Sequence, residues 1–528
     1  MTEENSLEEK KNNIRPPSML DALIPLLSLI ILLAGAIYLY GDGATSGPTQ
    51  VALLVSTMIA GLVGLKNGFR WEDMGHAAVE GISTALGAIF ILLAVGALVG
   101  TWMMSGTITT LVYLGVQFLS ASWYYIACVI ICALLALSIG SSWTVVGTIG
   151  IGLIAIAEAL GVSPEITAGA VISGAYFGDK MSPLSETTNL ASAVAGTDLY
   201  THIKGMMWTA IPSILIALAI FGVIGLSTAP STELDLTVVL EILEEVYNIT
   251  LWTFIPLLVV LVMSFRRISA FATIMVGALV GGLMAVILQP DVVIAFAGDP
   301  SLSTPLAMIK GIWSAMATGF FIETGYEGLD SLLNRGGMAS MLTTVWLIIS
   351  AMAYGGVMEY TGLLSKLMEP LLRRAKTERS LVASAGLTAI GMNILAGDQY
   401  MAIVLPGRMF RELFHKKGIA PQTLSREIED TGTITSPLIP WNTCGAYMSA
   451  ALGIATIAYL PYCFFNLINV VISFAYALFG FQIRHLEPEE VPAAAPDQVT
   501  LYDVGNRRAE PTTPEPARPA LGSEGYAG

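Results

Sequence analysis

The chain is 528 residues long, with 12% charged and 54% hydrophobic residues and a net charge of -15; its mean hydropathy is +0.70. Soluble domains carry about 25% charged residues, so a soluble protein is excluded, and the acidic balance argues against nucleic acid as a partner. Apolar runs of roughly 18 residues or more recur from Leu20 to Gly480 without the two-residue alternation of an outer-membrane barrel, which predicts an all-α, polytopic helical membrane protein.

Residues 1–19 read as a polar, cytoplasmic N-terminal segment. The first apolar run is too long for a removed signal peptide and lacks a small-residue cleavage site. Spans are predicted at 20–40, 50–65, 82–104, 124–140, 144–160 and 203–227, then at 250–264, 269–288, 340–360, 380–396, 399–414 and 457–480. Three further stretches, 165–196, 302–325 and 422–455, are apolar but interrupted by Gly, Pro, Ser and Thr, the pattern of broken or re-entrant helices. The chain therefore divides into a first membrane repeat (20–227), an acidic external linker (228–249), a second membrane repeat (250–483) and a disordered cytoplasmic tail (484–528) rich in proline.

Cys128, Cys132, Cys444 and Cys463 all lie in apolar segments and read as packing residues. His76, His202, His415 and His485 form no ligand-like cluster, so no cofactor is expected and carboxylates become the candidate proton carriers. Positive charge assigns the sides. Lys10, Lys11, Arg15, Lys66, Arg70, Arg266, Arg267, Lys366, Arg373, Arg374, Lys376 and Arg484 mark cytoplasmic ends, and loops free of Lys and Arg at 41–49, 105–123, 161–164, 228–249 and 289–301 should face outward.

An internal repeat appears at a spacing of 257 residues. Gly140-Ser141-Ser142-Trp143 aligns with Gly397-Asp398-Gln399-Tyr400, and Gly161-Val162-Ser163-Pro164 with Gly418-Ile419-Ala420-Pro421. After a three-residue deletion, Ser182-Pro183-Leu184 aligns with Ser436-Pro437-Leu438. Gly161 should lie outside and Gly418, next to His415, Lys416 and Lys417, inside, so the repeats are expected to have inverted topology. That is a signature of secondary transporters with a site near the midplane.

Two polar clusters sit in otherwise apolar segments. Asp179, Lys180, Ser182, Ser185, Glu186, Thr187, Thr188 and Asn189 surround the break at Pro183, where freed carbonyls and side-chain oxygens make the hard-oxygen surroundings a small cation prefers. A polar loop outside the membrane, with Lys180 neutralising Asp179, is the plainer reading. The partner cluster holds Glu429, Asp430, Thr431, Thr433, Thr435, Ser436, Asn442 and Thr443; Arg426, Glu427, Glu429 and Asp430 fit a solvated cytoplasmic helix face equally well. Asp398 follows Gly397 and the apolar Ile394-Leu395-Ala396, so it is either a buried proton acceptor or the cap of a helix beginning at Gln399. Glu158 reads as interfacial, and Glu323 and Glu327 as residues of a surface loop or, alternatively, of a re-entrant gate or dimer contact.

The segments SIGSSWTVVGTIG (138–150), GAYFGDKMSPLSETTNLA (174–191), GDQYMAIVLPGRMF (397–410) and SREIEDTGTITSPLIPWNTCG (425–445) resemble the NhaC-type sodium/proton antiporter family. The resemblance implies Na+/H+ exchange across the cytoplasmic membrane by alternating access and a homodimer; relatives in the family couple these ions to malate and lactate, and others carry amino acids. It implies that Asp179, Ser182, Glu186, Asn189, Ser436, Asn442 and Thr443 bind cation or substrate and that Asp398 couples protons; the polar cluster adds Thr187 to the binding set, Asp179 is a second candidate for proton coupling, and no metal other than transported Na+ is expected. Two rivals stand beside it: a Na+-coupled carrier of a small organic acid or amino acid, and an intramembrane aspartyl protease using Asp179 and Asp398. Neither catalytic residue nor enzymatic activity is otherwise expected.

Overall fold

The computed structural model describes residues 14–227, 236–324, 330 and 333–486. It is helical throughout, and the one β contact among these residues is an isolated bridge between Ile419 and His485. Among the described residues, eight helices are long and apolar enough to cross a membrane, or ten if each of two bent pairs counts as one span. The chain is thus a multi-pass membrane protein.

Local chemistry sets the ends of the helices. Helix α1 (Met19–Tyr40) begins with a reciprocal cap, in which Ser18 Oγ accepts from the Asp21 amide (3.2 Å) and Asp21 Oδ2 accepts from the Ser18 amide (2.9 Å). Asp21 is tied in turn to Lys66 at the end of α2 (Pro48–Lys66), 2.5 Å away. Helix α3 (Trp71–Thr84) leads through Ala85 into α4 (Leu86–Met104).

From α4 onward the helices form a series, with α5 (Thr107–Phe118), α6 (Ala121–Ile139), α7 (Ser142–Ala159), α8 (Pro164–Met181), α9 (Glu186–Ala195) and α10 (Leu199–Ser227). Helices α11 (Leu236–Val246), α12 (Ile255–Phe265), α13 (Ala270–Leu288), α14 (Pro290–Ala297) and α15 (Thr304–Thr318) intervene. A second series follows: α16 (Leu342–Tyr360), α17 (Leu363–Arg374), α18 (Glu378–Leu395), α19 (Gln399–Lys416), α20 (Pro421–Ile428), α21 (Thr443–Leu452), and the short α22 (Thr456–Tyr459) before α23 (Phe464–Phe479). Each member of the second series starts 256 or 257 residues after its counterpart in the first, with α22 matching the start of α10. The left-handed glycines recur too. Gly106, Gly140, Gly161 and Gly196 have positive φ at the helix ends of one series, and Gly362, Gly397, Gly418 and Gly453 in the other.

The two halves interlock. Helix α4 packs on α13 and α15, while its counterpart α16 packs on α2 and α3. Glycines permit both approaches: a Cβ on Gly100 would lie 2.1 Å from the Ala315 carbonyl oxygen, and one on Gly356 2.4 Å from that of Ala77. Gly100→Ala should therefore cost about 1–3 kcal/mol through forced backbone movement, read as a fall in the midpoint of heat-induced aggregation in detergent. Gly75→Ala, where a Cβ meets nothing within 4 Å, should be neutral or stabilising.

Several boundaries differ from the sequence expectation. The stretch 105–123 is not a plain loop but contains α5, and 289–301 contains α14. Of the linker 228–249, residues 228–235 lie outside the described residues and 236–246 form α11. The span predicted at 82–104 is divided by the break at Ala85, and that at 457–480 is interrupted at Cys463, between the segment Thr456–Tyr462, which bends by 89° from α21, and α23. The tail from 487 and Glu327 lie outside the described residues, but Arg484 to Leu486 are seated. The Arg484 carbonyl accepts from the Ala420 amide (2.8 Å), and the Leu486 amide donates to Gly418 (2.8 Å).

Candidate ion and substrate site

Helix α8 stops because Pro183 follows: the residue before a proline is pushed out of the helical region, and Ser182 has ψ 129. The exposed backbone of this break is then satisfied locally. Asn189 Nδ2 donates to the carbonyls of Pro183 (3.0 Å) and Ser185 (2.6 Å), and Ser182 Oγ accepts from the Leu184 amide (3.2 Å). Ser185 caps α9. In the second series α20 opens into a π turn, Glu429–Thr433, before the break at Ser436-Pro437-Leu438. There Ser436 Oγ lies 2.9 Å from Gln399 Oε1 and 2.7 Å from the Thr433 carbonyl, and Asn442 Nδ2 donates to Asn393 Oδ1 (3.0 Å).

A cavity of about 570 Å³ lies against the first of these breaks and the starts of α7, α19 and α21, lined by Asp179, Glu186, Thr187, Asp398 and Thr443 together with Ser142, Gln399, Tyr400 and Arg267. It gathers residues from both series. Asp179 Oδ2 accepts from the Ser142 amide (3.0 Å) and hydroxyl (2.7 Å), whereas its Oδ1 is buried without a hydrogen-bond partner among the described residues. Asp398 Oδ1 accepts from the Met401 amide (3.0 Å) and Oδ2 from Thr443 Oγ1 (3.3 Å). Asp398 thus caps α19 and at the same time lies 5% exposed on a cavity wall. Trp143, also on the wall, stacks on Tyr447 with ring centroids 4.1 Å apart, and Tyr447 donates to the Trp143 carbonyl (2.8 Å). This contact ties α7 to α21.

Of the residues expected at the site, Asp179, Glu186, Thr187, Asp398 and Thr443 meet at the cavity. Ser182, Asn189, Ser436 and Asn442 do not line it; their polar atoms stabilise the two breaks, of which the first contributes Leu184 and Ser185 to the lining.

Behind Thr187 lies a buried charged cluster. Thr187 Oγ1 donates to Glu429 Oε1 (3.2 Å), and Glu429 Oε2 and Thr433 Oγ1 are buried without partners among the described residues. Lys180 pairs with Asp430 at 2.8 Å, both side chains fully buried, so the expected neutralisation of Asp179 by Lys180 gives way to a pair between the two halves. Thr209, Asn469 and Ser473 complete the shell of Asp430 at 2.9, 3.0 and 3.0 Å. Arg426 and Glu427 are buried as well, at 2% and 0% exposure. The reading of Arg426, Glu427, Glu429 and Asp430 as a solvated helix face is therefore overturned.

The charges in this cluster do not balance. Two buried cations, Lys180 and Arg426, stand against four buried carboxyl groups, Asp179, Glu427, Glu429 and Asp430. Uncompensated buried charge is expensive, so the surplus carboxyl groups must take up either protons or cations. Asp179 and Glu429 each present a buried oxygen without a hydrogen-bond partner among the described residues. The sequence signals that pointed to Glu429 were weak, because a carboxylate at the polar end of a helix looks solvated until the packing of α20 inside the protein is known.

A multi-pass helical protein in which broken helices surround an acidic, oxygen-lined cavity belongs to the class of membrane carriers. Comparison with known proteins narrows this. The family model described as the Na+/H+ antiporter family matches residues 174–481, and one described as a C4-dicarboxylate anaerobic carrier matches residues 1–229. The Na+/H+ antiporter NhaC of Alkalihalophilus pseudofirmus is 37% identical over 82% of this chain and 90% of that protein. The malate-2H+/Na+-lactate antiporter of Bacillus subtilis is 34% identical over 90% of this chain and 99% of its own length, and the arginine/ornithine antiporter of Halobacterium salinarum 32% over 91% and 96%. The chain belongs to the Na+/H+ antiporter family.

Proposed function

We propose that Na+ and H+ compete for the surplus carboxyl groups Asp179 and Glu429, with Asp398 on the facing wall of the cavity coupling proton release to entry of the ion. The protein exchanges Na+ for H+, as the NhaC antiporters it resembles are named for doing. The observation that carries the competition is the pair of unpartnered, buried carboxylate oxygens on Asp179 and Glu429 beside unpartnered Thr433 Oγ1. Hard oxygen ligands suit Na+, and a proton on either acid removes the charge that a cation needs. Thr187, Glu186 and Thr443 line the approach, while Ser182, Asn189, Ser436 and Asn442 keep the breaks in shape.

The alternation of access is read as rocking or sliding of the region that carries the two broken helices against the rest of the protein, which would open the cavity to each side in turn. The recurrence of helix ends at one spacing and the distribution of Lys and Arg support inverted topology with both termini cytoplasmic; the family resemblance supports a homodimer in the cytoplasmic membrane. The test is proton flux in vesicles reconstituted with the full chain, with Na+ and organic solutes supplied separately. Na+ alone should dissipate an imposed pH gradient, and Asp398→Asn should reduce the rate at least about tenfold, a loss of about 1.4 kcal/mol. A requirement for malate, lactate or an amino acid before any proton moves would instead favour the organic-solute carrier, which the malate/lactate relative makes the second reading.

A further inference from the structure

A second pocket, of about 170 Å³, lies away from the cavity, where the start of α10 meets the start of α20 and the segment after α23. Three cationic side chains line it, Lys204, Arg426 and Arg484, together with Thr201, Gln422 and Thr423, and no carboxylate does. Such a concentration of positive charge needs a partner.

Arg426 makes the site more than a basic surface. Its side chain is 2% exposed, and one guanidinium nitrogen, Nη1, donates to the Gln482 carbonyl (2.9 Å). Nε and Nη2 are buried without hydrogen-bond partners among the described residues. The nearest carboxylate oxygen of Asp430 is 3.8 Å from Nε, and Asp430 is already engaged by Lys180. A buried guanidinium with donors unused, in a pocket whose other charges are also positive, is suited to an oxyanion, whose geometry matches the guanidinium fork. The opposing charges are Glu427, which acts on Arg426, and Asp198, which acts on Lys204; neither lines the pocket.

The pocket also has an interfacial rim. Trp208, 47% exposed, lines it and packs edge-on against Phe481, which packs in turn on Tyr476. Aromatic side chains of this kind gather at the level of lipid headgroups, and basic pockets between membrane helices take anionic headgroups.

We propose that this pocket is a binding site for a phosphate-bearing anion, held by Arg426, Lys204 and Arg484, and supplied either by the headgroup of an anionic phospholipid or by free phosphate. The site is one helical turn from Asp430, so its occupant sets the charge next to the buried Lys180–Asp430 pair.

The full chain, purified and stripped of lipid, is tested with phosphatidylglycerol, phosphatidylcholine and inorganic phosphate in turn, against the double variant Lys204→Gln/Arg484→Gln, which leaves buried Arg426 in place. Retained lipid is counted by native mass spectrometry, and phosphate binding by the shift in melting midpoint. Preferential retention of phosphatidylglycerol over phosphatidylcholine, reduced at least about fivefold in the double variant, identifies the lipid source. A midpoint raised by millimolar phosphate in the wild type only identifies the free anion. Equal retention of both lipids by both proteins, with no phosphate effect, overturns the proposal.

Discussion

Asp179→Asn is expected to lower Na+-driven proton flux at least about 100-fold while the protein remains folded. An Asn side chain can still accept from the Ser142 amide and hydroxyl, so the contacts that fix the start of α7 survive. What it lacks is the charge on the unpartnered oxygen that Na+ and H+ contest. Two factors of ten correspond to about 2.7 kcal/mol, within the about 2–5 kcal/mol lost when one partner of a buried charge pair is removed. Flux in vesicles and the melting midpoint in detergent separate the two effects. A variant with wild-type flux would remove Asp179 from the ion path.

Lys180→Met is expected to act on the opposite quantity. It leaves Asp430 fully buried with the neutral donors of Thr209, Asn469 and Ser473 and only the more distant Arg426, 3.8 Å away, as a cation, and breaking a buried pair from one side costs about 3–5 kcal/mol. The measurement is the fraction of monodisperse protein after a temperature series. The double variant Lys180→Met/Asp430→Asn should recover most of the loss, because the uncompensated charge is gone. An unchanged midpoint in the single variant would show that the pair between α8 and the π turn does not hold the halves together.

Much of the fold was legible because lipid imposes it. Long apolar runs must be helices, and the glycines at 140, 161, 397 and 418 marked real helix ends with positive φ. The amphipathic α17 and the short α5 escaped notice because neither is a full apolar span. For the site, Asp179 and Asp398 stood out as carboxylates in apolar surroundings, and both line the cavity. Serines and asparagines at the breaks looked equally suited to ligation, yet Ser182, Asn189, Ser436 and Asn442 spend their hydrogen bonds on the backbone or on other side chains of the breaks. Local sequence cannot distinguish an oxygen that faces a cavity from one that closes a turn. The Lys180–Asp430 pair lay further out of reach still, because adjacency to Asp179 suggested a local partner and only the packing of the two halves reveals the distant one.

Competition between Na+ and H+ for the same carboxyl groups is tested most directly by measuring Na+ binding to the purified protein across a pH series, with the protons released counted at each point. The apparent dissociation constant should rise about tenfold for each unit of falling pH on the acidic limb, as one-proton linkage requires, with proton release on Na+ addition that is lost in Asp179→Asn. Na+ binding of constant affinity across the series, with no proton displaced, would contradict it.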